Sequence, residues 1–150
     1  GHGNLPEWEL PFEKIDFEKG TQIKSGKQTA LISVGTIADN VSQAMELLKE
    51  KCTPGHYDLG SIKPLDTELL HHIFKNYTSI ITVEDGALFG GAGSAVLEWA
   101  NDHEYSQAVR RIGIPDSFIP HGTTSQLQKL VGLEPAGIAE VILGVLKTNL

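Results

Sequence analysis

Ser79-Ile80-Ile81-Thr82-Val83, running into Glu84-Asp85-Gly86, decides how the rest of the chain is read. A β-branched run of this length, closed by a charged pair and a glycine, marks a buried strand and is too short for a buried helix. Downstream, Gly90-Gly91-Ala92-Gly93 leads into a helical pattern over 94–101, with Ser94 in the position of a helix N-cap. A short strand is expected over 109–112, then two helical segments, 125–131 and 136–148, with Pro135 at the first turn of the second. Upstream, Asp66 is placed to cap a helix over 67–76, stapled by Leu65 and Leu70, with Leu69, Leu70, Ile73 and Phe74 on its apolar face. Before that come a weak strand over 56–62 and a helix whose stripe is Ile37, Val41, Ala44, Met45 and Leu48. A strand over 28–34 precedes this helix, and the segment 21–24 is expected to pair with that strand as an edge hairpin.

Strands alternating with helices predict an α/β fold: a three-layer α/β/α, doubly wound, mostly parallel sheet of about five strands with one antiparallel edge strand. Residues 1–20 read differently. Leu5, Trp8, Leu10, Phe12, Ile15 and Phe17 are spaced mostly two apart among prolines and acidic residues, which suits an extended interdomain linker. Trp8, Leu10 and Phe12 are expected to pack on a surface at least partly outside the domain formed by 21–150.

With 150 residues, the chain has room for one core that buries roughly two thirds of the surface of the unfolded form. Twelve Lys and Arg against nineteen Asp and Glu leave a net charge of -7, which disfavours nucleic acid and anionic membranes as partners. No apolar run has the length of a membrane span, and a cytoplasmic location is expected. Cys52 is alone and reads as an inert residue at a helix end.

The glycine turn Gly90, Gly91, Gly93 and Ser94 is the feature nearest to a phosphate cradle, because a strand, a glycine turn and a helix start present amides to an anion. Val96 stands where a dinucleotide fingerprint needs its third glycine, and no Lys or Arg lies between Lys75 and Arg110. A small anion- or nucleotide-binding regulatory module is therefore the alternative reading, with close packing of helix on sheet as the plainer one. Ser94 lacks the flanking glycines of a nucleophile elbow, since Ala92 and Val96 take those places. His71 and His72 point about 100° apart on a helix, and no metal site is expected. Glu84 and Asp85 are candidates for a cleft or interface, although neighbours at a strand end face opposite sides; capping of the following amides is the other role open to them. His121, in the loop before Gly122, is the third candidate.

Six segments follow one another in fixed order: 30–36 (ALISVGT), 62–66 (IKPLD), 82–86 (TVEDG), 90–96 (GGAGSAV), 113–122 (GIPDSFIPHG) and 133–138 (LEPAGI). Taken together they resemble the C-terminal domain of the transketolase superfamily, and the 1-deoxy-D-xylulose-5-phosphate synthases in particular. The stretch Asp58-Leu59-Gly60-Ser61-Ile62 departs from the aromatic and basic residues usual there.

The resemblance implies a parent that condenses pyruvate with glyceraldehyde 3-phosphate with decarboxylation. Its product would serve the biosynthesis of isoprenoid precursors, thiamine and pyridoxol. Thiamine diphosphate and magnesium would be its cofactors, held in preceding catalytic domains by a Gly-Asp-Gly motif and a later Asn. Here Glu84 precedes Asp85-Gly86 and Asn101 follows too soon, so no cofactor-binding, metal or catalytic residue is expected in this chain. The domain is expected to be inactive alone, and to support those catalytic domains and the homodimer of the parent.

Overall fold

The computed structural model describes residues 17–148. The expectation about Trp8, Leu10 and Phe12, like most of the 1–20 segment, lies outside the described residues. In chain order the elements are β1 (Thr21–Lys24), β2 (Thr29–Val34), α1 (Ala38–Leu47), β3 (Gly55–Asp58), α2 (Thr67–Asn76), β4 (Ser79–Ala87), α3 (Ala92–Asp102), β5 (Ala108–Ile114), α4 (Thr124–Val131) and α5 (Pro135–Thr148).

The sheet has the order β1-β3-β2-β4-β5. Strands β3, β2, β4 and β5 are mutually parallel, and β1 runs antiparallel along the β3 edge. Successive strand residues face opposite sides of the sheet, so the inner strands β2 and β4 each feed two cores, whereas the edge strand β1 is exposed throughout. Leu31, Ile81 and Val83 join Val41, Ala44 and Met45 of α1 and Ile138 and Ile142 of α5 on one side. Ala30, Ile32 and Ile80 join Leu70, Ile73 and Phe74 of α2 and Val96 and Ala100 of α3 on the other. Each large aliphatic side chain so buried contributes on the order of 2 kcal/mol. That two-sided demand explains why β2 and the first six residues of β4 are buried at nearly every position and are mostly apolar or β-branched, with only small hydroxyl side chains and Glu84 among them.

The predicted hairpin of β1 with β2 is not formed: Thr21 pairs with Asp58 and Gln22 with Tyr57 of β3. Both edges of β2 are taken by parallel partners, which leaves only the outer edge of β3 for β1. The connection crosses the start of β3 closely: a Cβ on Gly26 would sit 2.1 Å from the backbone of Pro54 and Gly55, and the Lys27 N–H donates to the Thr53 carbonyl. Strand β3 is also shorter than the predicted 56–62, because Gly60, at φ 71°, turns the chain away after the buried Leu59.

Asp66 does cap α2, and it does more. One carboxylate oxygen accepts from the Leu69 N–H at 3.0 Å, the other from the Gly20 N–H at 3.0 Å, with the Lys19 ammonium 3.8 Å away. The same side chain thus starts a helix and fastens the chain entering β1. His56, on the doubly covered β3, is fully buried between the hydroxyls of Ser33, 2.9 Å from Nε2, and Ser42, 3.4 Å from Nδ1. Burial disfavours its imidazolium and lowers its pKa from 6.5 to about 4.

Asp66→Ala removes the cap and orphans the Gly20 amide, so urea unfolding should show a loss of about 2 kcal/mol, with Asp66→Asn losing less. The unfolded chain protonates His56 before the folded one does. Its contribution is therefore complete above pH 6.5, falls away between pH 6.5 and about 4, and is flat below. Up to about 3 kcal/mol is lost across that window. Unfolding curves for His56→Gln should show a correspondingly shallower dependence there.

Candidate functional site

In an open α/β sheet the crevice at the carboxyl ends of the strands, where successive crossovers depart in opposite directions, is the natural place for a ligand. Here that point lies between β2 and β4, where Val34 is opposite Glu84. The Glu84-Asp85 pair sits at this point.

Glu84 is 4% exposed and points under α3. Its two oxygens accept from the Ala92 N–H at 2.7 Å and the Gly93 N–H at 3.0 Å, the first free amides of the helix. A buried carboxylate persists when such charge-assisted bonds and the positive end of a helix dipole replace its water. The glycines make the approach possible. A Cβ on Gly91 would lie 2.2 Å from Glu84 Oε2, and one on Gly93 would lie 2.4 Å from Thr82 Oγ1.

Ser94 is not the N-cap that its sequence position suggests. Gly91 occupies that position and α3 begins at Ala92, because Glu84 reaches over from β4 to do the capping. The Ser94 hydroxyl instead staples the turn: it accepts from the Gly90 N–H at 3.2 Å, donates to the Leu88 carbonyl at 3.0 Å and accepts from Arg111 Nη1 at 2.6 Å. Arg111 also donates to the Leu88 carbonyl at 2.8 Å. This cation is absent from the neighbourhood in sequence. It arrives because β5 pairs with β4 in a register that sets Arg111 beside Thr82.

Asp85 faces the opposite side of the sheet, as strand alternation requires. It is exposed and lines a mostly apolar cavity of about 240 Å³ with Ile114, Ile119, Leu127 and Leu133. His121 lies exposed ahead of α4 and lines neither this cavity nor the one of about 370 Å³ formed by Ile62, Phe89, Gly90, Ser94 and Glu98. The three candidates Glu84, Asp85 and His121 are therefore not brought together.

The chemistry open to this arrangement is limited. Both Glu84 oxygens are engaged, and the partners of Ser94 include no base. A diphosphate at the start of α3 would meet amides already bonded to Glu84, with Glu98 bordering the same cavity, so the residues present do not fit thiamine diphosphate there. Among the described residues no three His, Cys, Asp or Glu side chains converge in a group suited to a metal ion.

Glu84→Ala would leave the Ala92 and Gly93 amides buried and unpaired. A loss of about 3 kcal/mol is expected by denaturant unfolding, and Glu84→Gln, which keeps one acceptor oxygen, should lose less.

The model of the family described as "Transketolase, C-terminal domain" matches residues 18–138. A curated relative, the 1-deoxy-D-xylulose-5-phosphate synthase of Cytophaga hutchinsonii, is 44% identical over 143 residues, covering 95% of this chain and 22% of its own length. The synthase of the same name from Bacteroides thetaiotaomicron is 43% identical over 145 residues, with the same two coverages. The chain thus spans about a fifth of the length of these relatives. Among solved structures, one titled "Split gene transketolase, inactive beta4 tetramer" superposes with a TM-score of 0.83 at 28% identity, over 95% of this chain and 47% of the other. A transketolase mutant from Pichia stipitis, 17% identical, shares the fold with a TM-score of 0.62. With the parallel sheet, the antiparallel edge strand and the motif segments all in place, the chain belongs to the transketolase C-terminal domain family and resembles in particular the domain carried by 1-deoxy-D-xylulose-5-phosphate synthases.

Proposed function

We propose that this chain is the C-terminal bracing domain of a cytoplasmic, homodimeric 1-deoxy-D-xylulose-5-phosphate synthase, and that it has no synthase activity by itself. The parent would condense pyruvate with glyceraldehyde 3-phosphate, using thiamine diphosphate and magnesium held in the domains that precede residues 21–150. The observation that carries this reading is the mismatch of coverage: 95% of the chain aligns with synthases of which it spans only 22%.

The surface supports a docking role. Ile62, Phe89 and Phe118 lie in the three loops that follow β3, β4 and β5, so all three sit at the carboxyl end of the sheet. They are 43%, 71% and 91% exposed, and apolar side chains gathered on one rim favour a covering partner. The preceding catalytic domains are the partner proposed. The Gly90-to-Ser94 turn, by contrast, already holds an internal carboxylate, which counts against the reading as an anion- or nucleotide-binding regulatory module.

The purified chain, supplied with pyruvate, glyceraldehyde 3-phosphate, thiamine diphosphate and magnesium, should show no turnover; measurable product would overturn the assignment. Mixed with the separately produced preceding domains of the Cytophaga hutchinsonii relative, it should associate. Phe89→Asp combined with Phe118→Asp should weaken that association by about tenfold or more. Unchanged affinity would remove the apolar rim from the role.

A further inference from the structure

The amino ends of β2 and β4, at the opposite end of the sheet from Glu84, open into a cavity of about 520 Å³ lined by Lys27, Thr29, Lys51, Thr53, Thr78 and Ser79. We propose that this cavity is a binding site for a small phosphate monoester, whose phosphate group lies between Lys27 and Lys51.

Four observations converge. The two lysines come from different segments, one entering β2 and one following α1, and the Lys27 N–H bond to the Thr53 carbonyl at 2.7 Å holds those segments together. Although acidic residues outnumber basic ones in the chain, neither ammonium has a carboxylate within 4.0 Å among the described residues. Two cations left without anions in an acidic protein are an attractive pair for an external anion.

Thr29 is 1% exposed, and its buried Oγ1 has no hydrogen-bond partner among the described residues. A buried hydroxyl with nothing to bond is costly, and a small rotation toward a bound oxyanion would satisfy it. Strand alternation turns Thr29 and Ser79 to the same side as Leu31 and Ile81, the side covered by α1 and α5. Their hydroxyls therefore belong to the floor of this cavity rather than to the opposite core.

The carboxyl ends of α1 and α5 oppose an anion, each with a partial charge of about -0.5. Two full ammonium charges outweigh them. Burial raises the pKa of the Cys52 thiol, so this wall residue stays neutral and does not repel the ligand. The volume is several times that of orthophosphate and includes the apolar Leu146, which leaves room for an organic body attached to the phosphate.

The test is an amide chemical-shift titration of the 150-residue chain with inorganic phosphate and with glycerol phosphate, at constant ionic strength. Saturable shifts in the millimolar range or tighter are expected at Lys27, Thr29, Thr53 and Thr78, with glycerol phosphate the tighter ligand. Lys27→Ala, and Lys51→Gln, which keeps most of the stem, should each weaken binding by roughly tenfold. Ser94→Ala at the glycine turn and Lys129→Ala on α4 should leave it unchanged. Non-saturating shifts at tens of millimolar, shifts centred on the Gly90-to-Ser94 turn, or an equal loss from Lys129→Ala would each overturn the proposal. Both lysines are exposed, and the spectrum of each unliganded variant reports directly that it is folded.

Discussion

The carboxylate of Glu84 enters the protein interior at the end of β4 and is held there by the Ala92 and Gly93 amides. A charge so placed is tolerable only while both oxygens stay bonded, so the start of α3, the path of the glycine turn and the end of β4 must keep one mutual geometry. Gly91 and Gly93 have no side chain because a Cβ at either would collide with Glu84 or with Thr82. Ser94 and Arg111 complete the lock from the other side of the turn. The carboxyl end of the sheet, where this architecture ordinarily receives ligands, is consequently cross-linked by hydrogen bonds and already supplied with an anion.

That internal occupation accords with the bracing role proposed for the carboxyl-end surface. It leaves the apolar rim of Ile62, Phe89 and Phe118 as the feature of that end with the most to gain from contact. At the other end the electrostatics reverse. Lys75 and Lys147 lie in the last turns of α2 and α5, where they complement the helix dipoles, whereas Lys27 and Lys51 face an open cavity. One compact fold thus has an end that is electrostatically satisfied from within and an end that is not.

Much of the architecture was legible beforehand, for local reasons. Ser79 to Val83 reads as a buried strand because β-branched residues crowd a helix and suit a pleat. Asp66 reads as a cap because an Asp side chain ahead of a helix reaches the free amides of the first turn, and Pro135 fits a first turn that needs no N–H from it. The opposite facing of Glu84 and Asp85 follows from the two-residue period of a strand. These rules act over a few residues, and nothing distant overrides them here.

The amino-acid sequence by itself determined the alternation of strands and helices, the layers they form and the family to which the segments from Ala30 to Ile138 belong. Tertiary structure alone decided that β1 lies on β3 rather than β2, that Glu84 takes the capping position otherwise open to Ser94, and that Arg111 of β5 meets Ser94 of α3. It alone brought Lys27 and Lys51 to one cavity with Thr29, whose hydroxyl has no hydrogen-bond partner among the described residues. The division has one physical reason: propensity, alternation and capping are contests within a turn or a pleat, whereas the choice of an edge, a cap or a cavity wall is won among groups far apart in the chain that only packing brings together.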